Sequence, residues 1–185
     1  MNRAVLPMIV LLLASGCSRE EAPAPVAAPP PAPASADQTT VSANPMTAEE
    51  ARRRAQDIES RRAQWRSVPG RLQVGDASSQ FVAVYDAGVL RMIEERSEFN
   101  DYGSGTARYY LDTTGTLFLY DARDERAVNG AGAREVTELS MVFESNGRMV
   151  ASRKTVDGRV QPVQAEEIDA AVSHLQALRQ TARAP

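Results

Sequence analysis

The spacing of apolar residues changes along the chain and separates helical from extended segments. Thr47, followed three residues later by Glu50, forms a capping box that predicts a helix beginning at Ala48 and continuing to about residue 66. The dipeptide Pro69-Gly70 is expected to end this helix. Its apolar positions form a thin stripe near one face and are Ala51, Ala55, Ile58 and Trp65. Only Ile58 and Trp65 are large enough to pack substantially.

From about residue 80 onward the apolar period becomes two, which is typical of strands with one buried face. Four turn signals, each an acidic residue and a glycine between apolar runs, divide this region into hairpins. Asn146-Gly147 and Asp157-Gly158 are the strongest of them and predict two-residue turns. The predicted strands are 80–86, 89–99, 106–112, 116–122, 136–145 and 148–156, with a short one near 159–163.

A second helix is predicted over about 165–181. Its apolar residues recur at helical spacing along one face: Ile168, Ala171, Val172, Leu175 and Leu178. Such a stripe is suited to cover the apolar face of the sheet. The predicted fold class is therefore α+β, with an antiparallel β-meander of about six strands packed by a C-terminal helix in two layers and preceded by an N-terminal helix.

The N-terminus has the three parts of a secretory signal, namely one positive charge at Arg3, an apolar run over 4–13, and small residues before a cut site. The apolar run is about half the length needed to cross a bilayer. The segment Leu13-Ala14-Ser15-Gly16-Cys17 resembles the lipobox of bacterial lipoproteins, with Ala14 where leucine is usual. The alternative is a plain secreted protein in which Cys17 lies near the cut site by chance.

The lipoprotein resemblance implies that residues 1–16 are a signal peptide and that the Cys17 thiol is diacylated, often with a third acyl chain on the new amino group. Two or three chains anchor a protein firmly to membrane lipid. Because Ser18 rather than aspartate follows the cysteine, the resemblance implies a location in the outer membrane facing the periplasm.

Residues 17–46 are rich in proline and alanine and contain nothing that could form a core, so a disordered tether is expected. Its extended reach is on the order of 90 Å, which would serve as a spacer or bring the domain towards the cell wall. The remaining residues, 47–185, are expected to form a single domain.

Charge and cysteine content narrow the function classes. The 185-residue chain has a formal net charge of −3, which is not the strongly basic balance of nucleic-acid-binding proteins. Cys17 is the only cysteine, so an intramolecular disulfide and a cysteine-based metal cluster are both excluded.

Candidate chemistry is sparse. His174, the only histidine, lies at the edge of the apolar stripe with no acidic partner nearby in sequence, so it is interpreted as a boundary residue. The ligand set of a zinc site, a nucleophile elbow and a glycine-rich phosphate loop are all absent from the sequence. We therefore predict no catalytic residue, no metal and no cofactor, and a protein that is not an enzyme.

Acidic residues form two groups. The first ends the second predicted strand (Glu94, Glu95, Glu98, Asp101), and the second follows the fourth (Asp121, Asp124, Glu125). Paired carboxylates can hydrolyse glycosides if one has a raised pKa. The neighbouring arginines instead favour an exposed, ion-paired surface: Arg91, Arg96, Arg123 and Arg126.

Four tyrosines crowd adjacent strands: Tyr102, Tyr109, Tyr110 and Tyr120. Alternation places Tyr109 and Tyr110 on opposite faces, so one is expected in the core and the other exposed. Tyr102, Arg108 and Tyr110 are the candidate contacts for a partner protein or glycan. Ordinary cross-strand packing is the alternative explanation for this clustering.

The hairpins over about residues 80–160, such as Ala107–Asp112 before its glycine turn, also resemble small uncharacterised periplasmic lipoproteins, which implies no activity. Three functions stay open, and the first is the one predicted. It is a non-enzymatic binding or structural module of the envelope, whose partner is a protein or peptidoglycan. The second is an inhibitor of a cell-wall hydrolase acting through an exposed loop at 99–105 or 122–135. The third is a hydrolase that uses carboxylates.

Overall fold

The computed structural model describes residues 46–75, 77–128 and 133–182, all within one compact unit, Ser42–Pro185. The predicted signal peptide, Cys17 and the tether as far as residue 45 lie outside the described residues. In the described part, no helix is both long and apolar enough to cross a bilayer.

An antiparallel meander forms the body of the domain, with strands paired in the order of the sequence. In chain order the elements are α1 (Ala48–Arg61), a 3-10 turn (Arg62–Gln64), β1 (Arg66–Val74), β2 (Ala77–Asp86), β3 (Val89–Glu98), a second 3-10 turn (Asn100–Tyr102), β4 (Gly103–Leu111), β5 (Leu117–Val128), β6 (Ala133–Phe143), β7 (Met149–Val156), β8 (Arg159–Gln161) and α2 (Ala165–Ala182). The α+β class is confirmed, but the sheet has eight strands rather than six.

The strand missed by the sequence reasoning is β1. The first helix begins at Ala48 as predicted, with the Thr47 side chain accepting a hydrogen bond from the Glu50 backbone N–H, but it ends at Arg61 rather than near residue 66. Pro69 and Gly70, expected to break the helix, lie inside β1. Because β1 is an edge strand, the missing N–H of Pro69 costs little. Gly70 gives the Phe81 ring room, since a Cβ there would lie 2.2 Å from a ring carbon.

The hairpin turns agree with prediction in position but only partly in type. The Asp157-Gly158 turn is a two-residue turn with both residues at positive φ, as predicted. The prediction for Asn146-Gly147 is wrong, because that connection spans Glu144–Arg148 and only its glycine has positive φ. Asn146 instead accepts a hydrogen bond from the Arg148 backbone N–H at 2.9 Å.

Strands β5 and β6 extend further than expected. Asp121, Asp124 and Glu125, predicted to lie in a loop, belong to β5 and pair with residues of β6. The predicted loop over 122–135 is therefore strand at both of its ends. Residues 129–132 lie outside the described part of the chain.

A helix packs against each face of the sheet, in place of the expected two layers. On one side, the α2 face, the strands pack against Ala171, Leu175 and Leu178. On the other, the α1 face, alternate residues of the same strands pack against Ala51, Ala55 and Ile58. The thin alanine stripe of α1 suffices because small side chains let the helix approach the sheet closely, and the three are at most 6 % exposed.

Candidate functional site

A buried acid–histidine pair joins α2 to the middle of the sheet. Glu95 alternates with Ile93 along β3, so its side chain points towards α2, where it is only 2 % exposed. The His174 Nε2 atom lies 2.8 and 2.9 Å from the two carboxylate oxygens of Glu95. The expectation that Glu95 belongs to an exposed ion-paired surface is therefore wrong, and the partner that His174 lacks in sequence comes from β3.

The pair favours the charged form of the histidine. The hydrogen bond to Glu95 raises the pKa of His174, and its effect exceeds that of burial, which acts in the opposite direction. His174 sits at the rim of the helix–sheet contact, with 32 % of its side chain exposed. The proton of this buried pair can therefore exchange with solvent through the histidine.

Two tyrosines and a second carboxylate share the interior with this pair. Tyr109 and Tyr120 are cross-strand neighbours with ring centroids 4.9 Å apart, and burial raises the pKa of each phenol, so both stay neutral. Burial also raises the pKa of Asp124, with a further contribution from the charge of Glu95. Gly105 makes room for Asp124, because a Cβ there would lie 2.3 Å from its Oδ1 atom.

Three polar contacts along the length of α2 hold this helix against the sheet. Lys154 on β7 binds Glu167 near the start of the helix at 2.7 Å, and Glu95 binds His174 in the middle. Near the end, the Arg179 guanidinium donates to the carbonyl oxygen of Gly115 in the β4–β5 turn. This geometry therefore supports a structural role, in which the titratable pair of Glu95 and His174 helps to hold α2 on the sheet.

Replacing Asp124 with a neutral residue should stabilise the folded domain at neutral pH. Because its pKa is raised in the folded state, its contribution to stability is present below pH 3.8 and is lost as the pH rises through the raised pKa. Asp124→Asn should therefore increase the free energy of unfolding at pH 7, by about 1 kcal/mol at most since 34 % of the side chain is exposed. Urea unfolding at pH 7 and pH 3 measures this, and an equal gain at both values would contradict it.

The three candidate partner contacts do not form one surface. Tyr102 is 72 % exposed in the turn before β4, whereas Arg108 and Tyr110 lie further along β4, beside α1. Arg108 is half exposed and pairs with Glu94 at 3.2 Å. Tyr110 is 4 % exposed and donates its hydroxyl to Glu59 at 2.9 Å. Tyr110 as an exposed contact is therefore wrong: Tyr109 and Tyr110 are both buried because both faces are covered.

Only half of the α1 face is covered by α1. Met92 and Tyr110 are buried beneath the helix, but two positions away on the same strands the side chains of Glu94 and Arg108 are 20 % and 50 % exposed. Beyond these lies a row of six residues, all exposed and directly opposite one another on six successive strands. We call it the arginine row, and its members are Arg71, Gln80, Arg96, Thr106, Arg123 and Glu138.

A groove of about 470 Å³ lies at the β1 end of the arginine row. Its wall includes Glu94, whose carboxylate is held by Arg62 at 2.9 Å and by Arg108. The other lining residues come from the first three strands: Pro69, Gly70, Arg71, Gln80, Phe81, Val82 and Arg96. Sequence reasoning had no access to this surface, because it depends on β1 and on the register of five strand pairs.

Among the residues that the structure describes, no group of three or more His, Cys, Asp or Glu side chains is arranged to hold a metal ion. Comparison with protein-family models, with curated proteins and with solved structures finds no match for this chain.

Proposed function

We propose that the protein is a lipoprotein of the bacterial cell envelope, anchored through acylated Cys17 to the periplasmic side of the outer membrane. Its folded domain is a non-enzymatic binding module. The surface that meets the partner, a protein or peptidoglycan, is the half of the α1 face left open by α1. The tether over residues 17–46 gives the module its reach from the membrane.

The observation that carries the proposal is the in-register arginine row. Six exposed polar side chains on six adjacent strands span about 24 Å at the usual strand spacing, a dimension comparable to that of an interface burying about 800 Å² on each partner. A rigid antiparallel sheet holds the Cα atoms of these residues at set intervals, so the backbone needs little ordering on binding.

The buried pair of Glu95 and His174 removes Glu95 from the carboxylates that a hydrolase could use. A catalytic acid must come within hydrogen-bond reach of the substrate. Both Glu95 carboxylate oxygens are occupied by His174, and the side chain is 2 % exposed. Its position is suited to holding α2 in place.

The anchor is tested by replacing its attachment point. Cys17→Ala should move the protein from the membrane fraction to the soluble periplasmic fraction, because the acyl chains supply the hydrophobic attachment. Metabolic labelling with an alkyne palmitate should mark the wild type and not the variant, and Ser18→Ala serves as the matched control that keeps its label. A wild-type protein without label in the soluble fraction would overturn the proposal.

The binding surface is tested by photocrosslinking in intact cells. A photoreactive amino acid at Gln80 or Thr106, both exposed on the open half, should give a discrete crosslinked product. The control position is Gln176, exposed on α2, where that product should be missing. The same product from all three positions, or none from Gln80 and Thr106, would contradict the assignment.

One observation favours inhibition of a cell-wall hydrolase as a second candidate. The hairpin of β5 and β6 extends past β7, since residues Ala133–Glu135 pair with β5 and lie beyond the register of β7. A projecting hairpin can enter an active-site cleft. A stoichiometric loss of lysozyme activity on adding the protein would support this candidate, and unchanged activity at a large molar excess would remove it.

A further inference from the structure

The β1 end of the arginine row brings two guanidinium groups to one groove. Arg71 on β1 and Arg96 on β3 both lie opposite Gln80 of β2, so all three side chains are on the same face. Adjacent residues in an antiparallel sheet have Cα atoms about 5 Å apart, which places Arg71 and Arg96 about 10 Å apart. Both long side chains can reach one ligand from that distance.

These two arginines differ from the others nearby in their pairing. Arg62 and Arg108 bind Glu94, and Arg123 binds Glu138 at 3.0 Å. Arg71 and Arg96 make no ion pair or hydrogen bond with any residue that the structure describes. The single carboxylate in the groove wall is already held by two guanidiniums, so the groove has uncompensated positive charge.

The groove also has an apolar floor. Val82 and Pro69, which lie opposite each other on β2 and β1, line it beside the arginines, within a volume of about 470 Å³. Planar guanidinium groups bind carboxylates through two parallel hydrogen bonds, which makes them selective for this group. An apolar floor flanked by such donors is suited to acidic side chains, whose methylene groups lie on the floor while the carboxylates meet the guanidiniums.

We propose that Arg71 and Arg96, with Gln80 between them, bind the carboxylates of an acidic, extended peptide segment of the partner. This inference rests on the proposed function and names the chemistry of the partner. The spacing agrees with such a ligand, since acidic side chains three residues apart in a segment of polyproline II conformation project from the same side and are separated by about 9 Å. Glu94 in the wall, and Glu98 two positions beyond Arg96, disfavour a densely charged phosphate surface.

Binding is measured with the complete lipidated protein in detergent and a fluorescein-labelled peptide of repeated Glu-Gly-Gly units. Fluorescence anisotropy should show salt-sensitive binding, with little binding of the Gln-Gly-Gly counterpart. The double variant Arg71→Gln/Arg96→Gln should bind the acidic peptide at least about tenfold more weakly. The control Arg66→Gln/Arg159→Gln removes the same charge from exposed positions on β1 and β8 that face away from the arginine row and should bind like the wild type.

Four results would overturn the inference. The first is an unchanged affinity of Arg71→Gln/Arg96→Gln for the acidic peptide, and the second is an equal loss of affinity in both double variants. The third is equal binding of the acidic and glutamine peptides, and the fourth is binding to phosphatidylglycerol vesicles, through Arg71 and Arg96, without binding to the peptide. Thermal unfolding checks that both variants fold. If the Thr106 crosslink persists in Arg71→Gln/Arg96→Gln while peptide affinity is unchanged, the carboxylate site is wrong and the binding surface stands. If that crosslink is never formed, the proposed function itself fails.

Discussion

His174→Ala should lower the free energy of unfolding at pH 7 by about 3 kcal/mol, the cost of leaving a buried charge without its partner. Glu95 stays in the helix–sheet contact with 2 % exposure, and both of its carboxylate oxygens lose the hydrogen bond from Nε2. Because the pair lies midway along α2, the loss should loosen the whole helix. Hydrogen exchange of the α2 amides, together with urea unfolding, measures both effects.

The same pair predicts how stability depends on pH in the wild type. The pKa of His174 is raised in the folded protein by its bond to Glu95. The folded state therefore binds this proton more tightly than the unfolded chain, whose histidine titrates near pH 6.5. The stabilisation is fully present below pH 6.5 and should be lost as the pH rises through the raised pKa.

Glu95→Gln is the matched control for both results. Glutamine keeps the shape and can accept a hydrogen bond from neutral His174, so its cost should be only about 1 kcal/mol, and the pH dependence above 6.5 should flatten. The double variant Glu95→Gln/His174→Ala should be more stable than His174→Ala alone, because no buried charge remains. A double variant less stable than His174→Ala would show that the pair does not carry the effect.

Gly103→Ala should destabilise the domain by about 3 kcal/mol, at the upper end of the range for backbone strain. Gly103 begins β4 with φ 144° and ψ −167°, a conformation that is essentially restricted to glycine. An added Cβ would lie 2.0 Å from the carbonyl oxygen of Glu125, a backbone atom of the paired strand. The clash can be relieved only by separating β4 from β5 where they meet.

Gly147→Ala is the control for this second prediction. Gly147 also has positive φ, 83°, but a Cβ there meets no heavy atom within 4 Å. Its cost should be about 1 kcal/mol, the ordinary penalty of a left-handed conformation. Urea unfolding of the two variants side by side separates steric clash from backbone strain. Equal losses in the free energy of unfolding would contradict the prediction, because they would show that the clash with Glu125 costs little.

Much of the fold was predictable because it depends on local chemistry. The capping box at Thr47 places the start of α1, and the period-two runs with their glycine turns place seven of the eight strands in the correct order. The apolar stripe over 168–178 predicts α2. Strand β1 was not predicted, because Pro69 and Gly70 normally interrupt secondary structure. An edge strand tolerates them, but that β1 lies at the edge is decided by the strand pairing.

The candidate site could not be predicted to the same extent, because its parts are far apart in sequence. Alternation with Ile93 was available as a signal that Glu95 faces the core, but the acidic cluster suggested a solvated surface. The contact with His174 joins residues 79 positions apart. Tyr110 was misjudged because periodicity separates two faces of a strand without telling whether a second helix covers the other one.

By itself the sequence determined the local elements other than β1, the order of the hairpins and the hydrophobic stripe of α2, since each follows from residues close together along the chain. The tertiary structure alone decided which faces are buried, that the only histidine meets a buried glutamate, and that three arginines share one exposed row. These features depend on strand register and helix placement, which are set by contacts between distant segments competing for the same apolar surface.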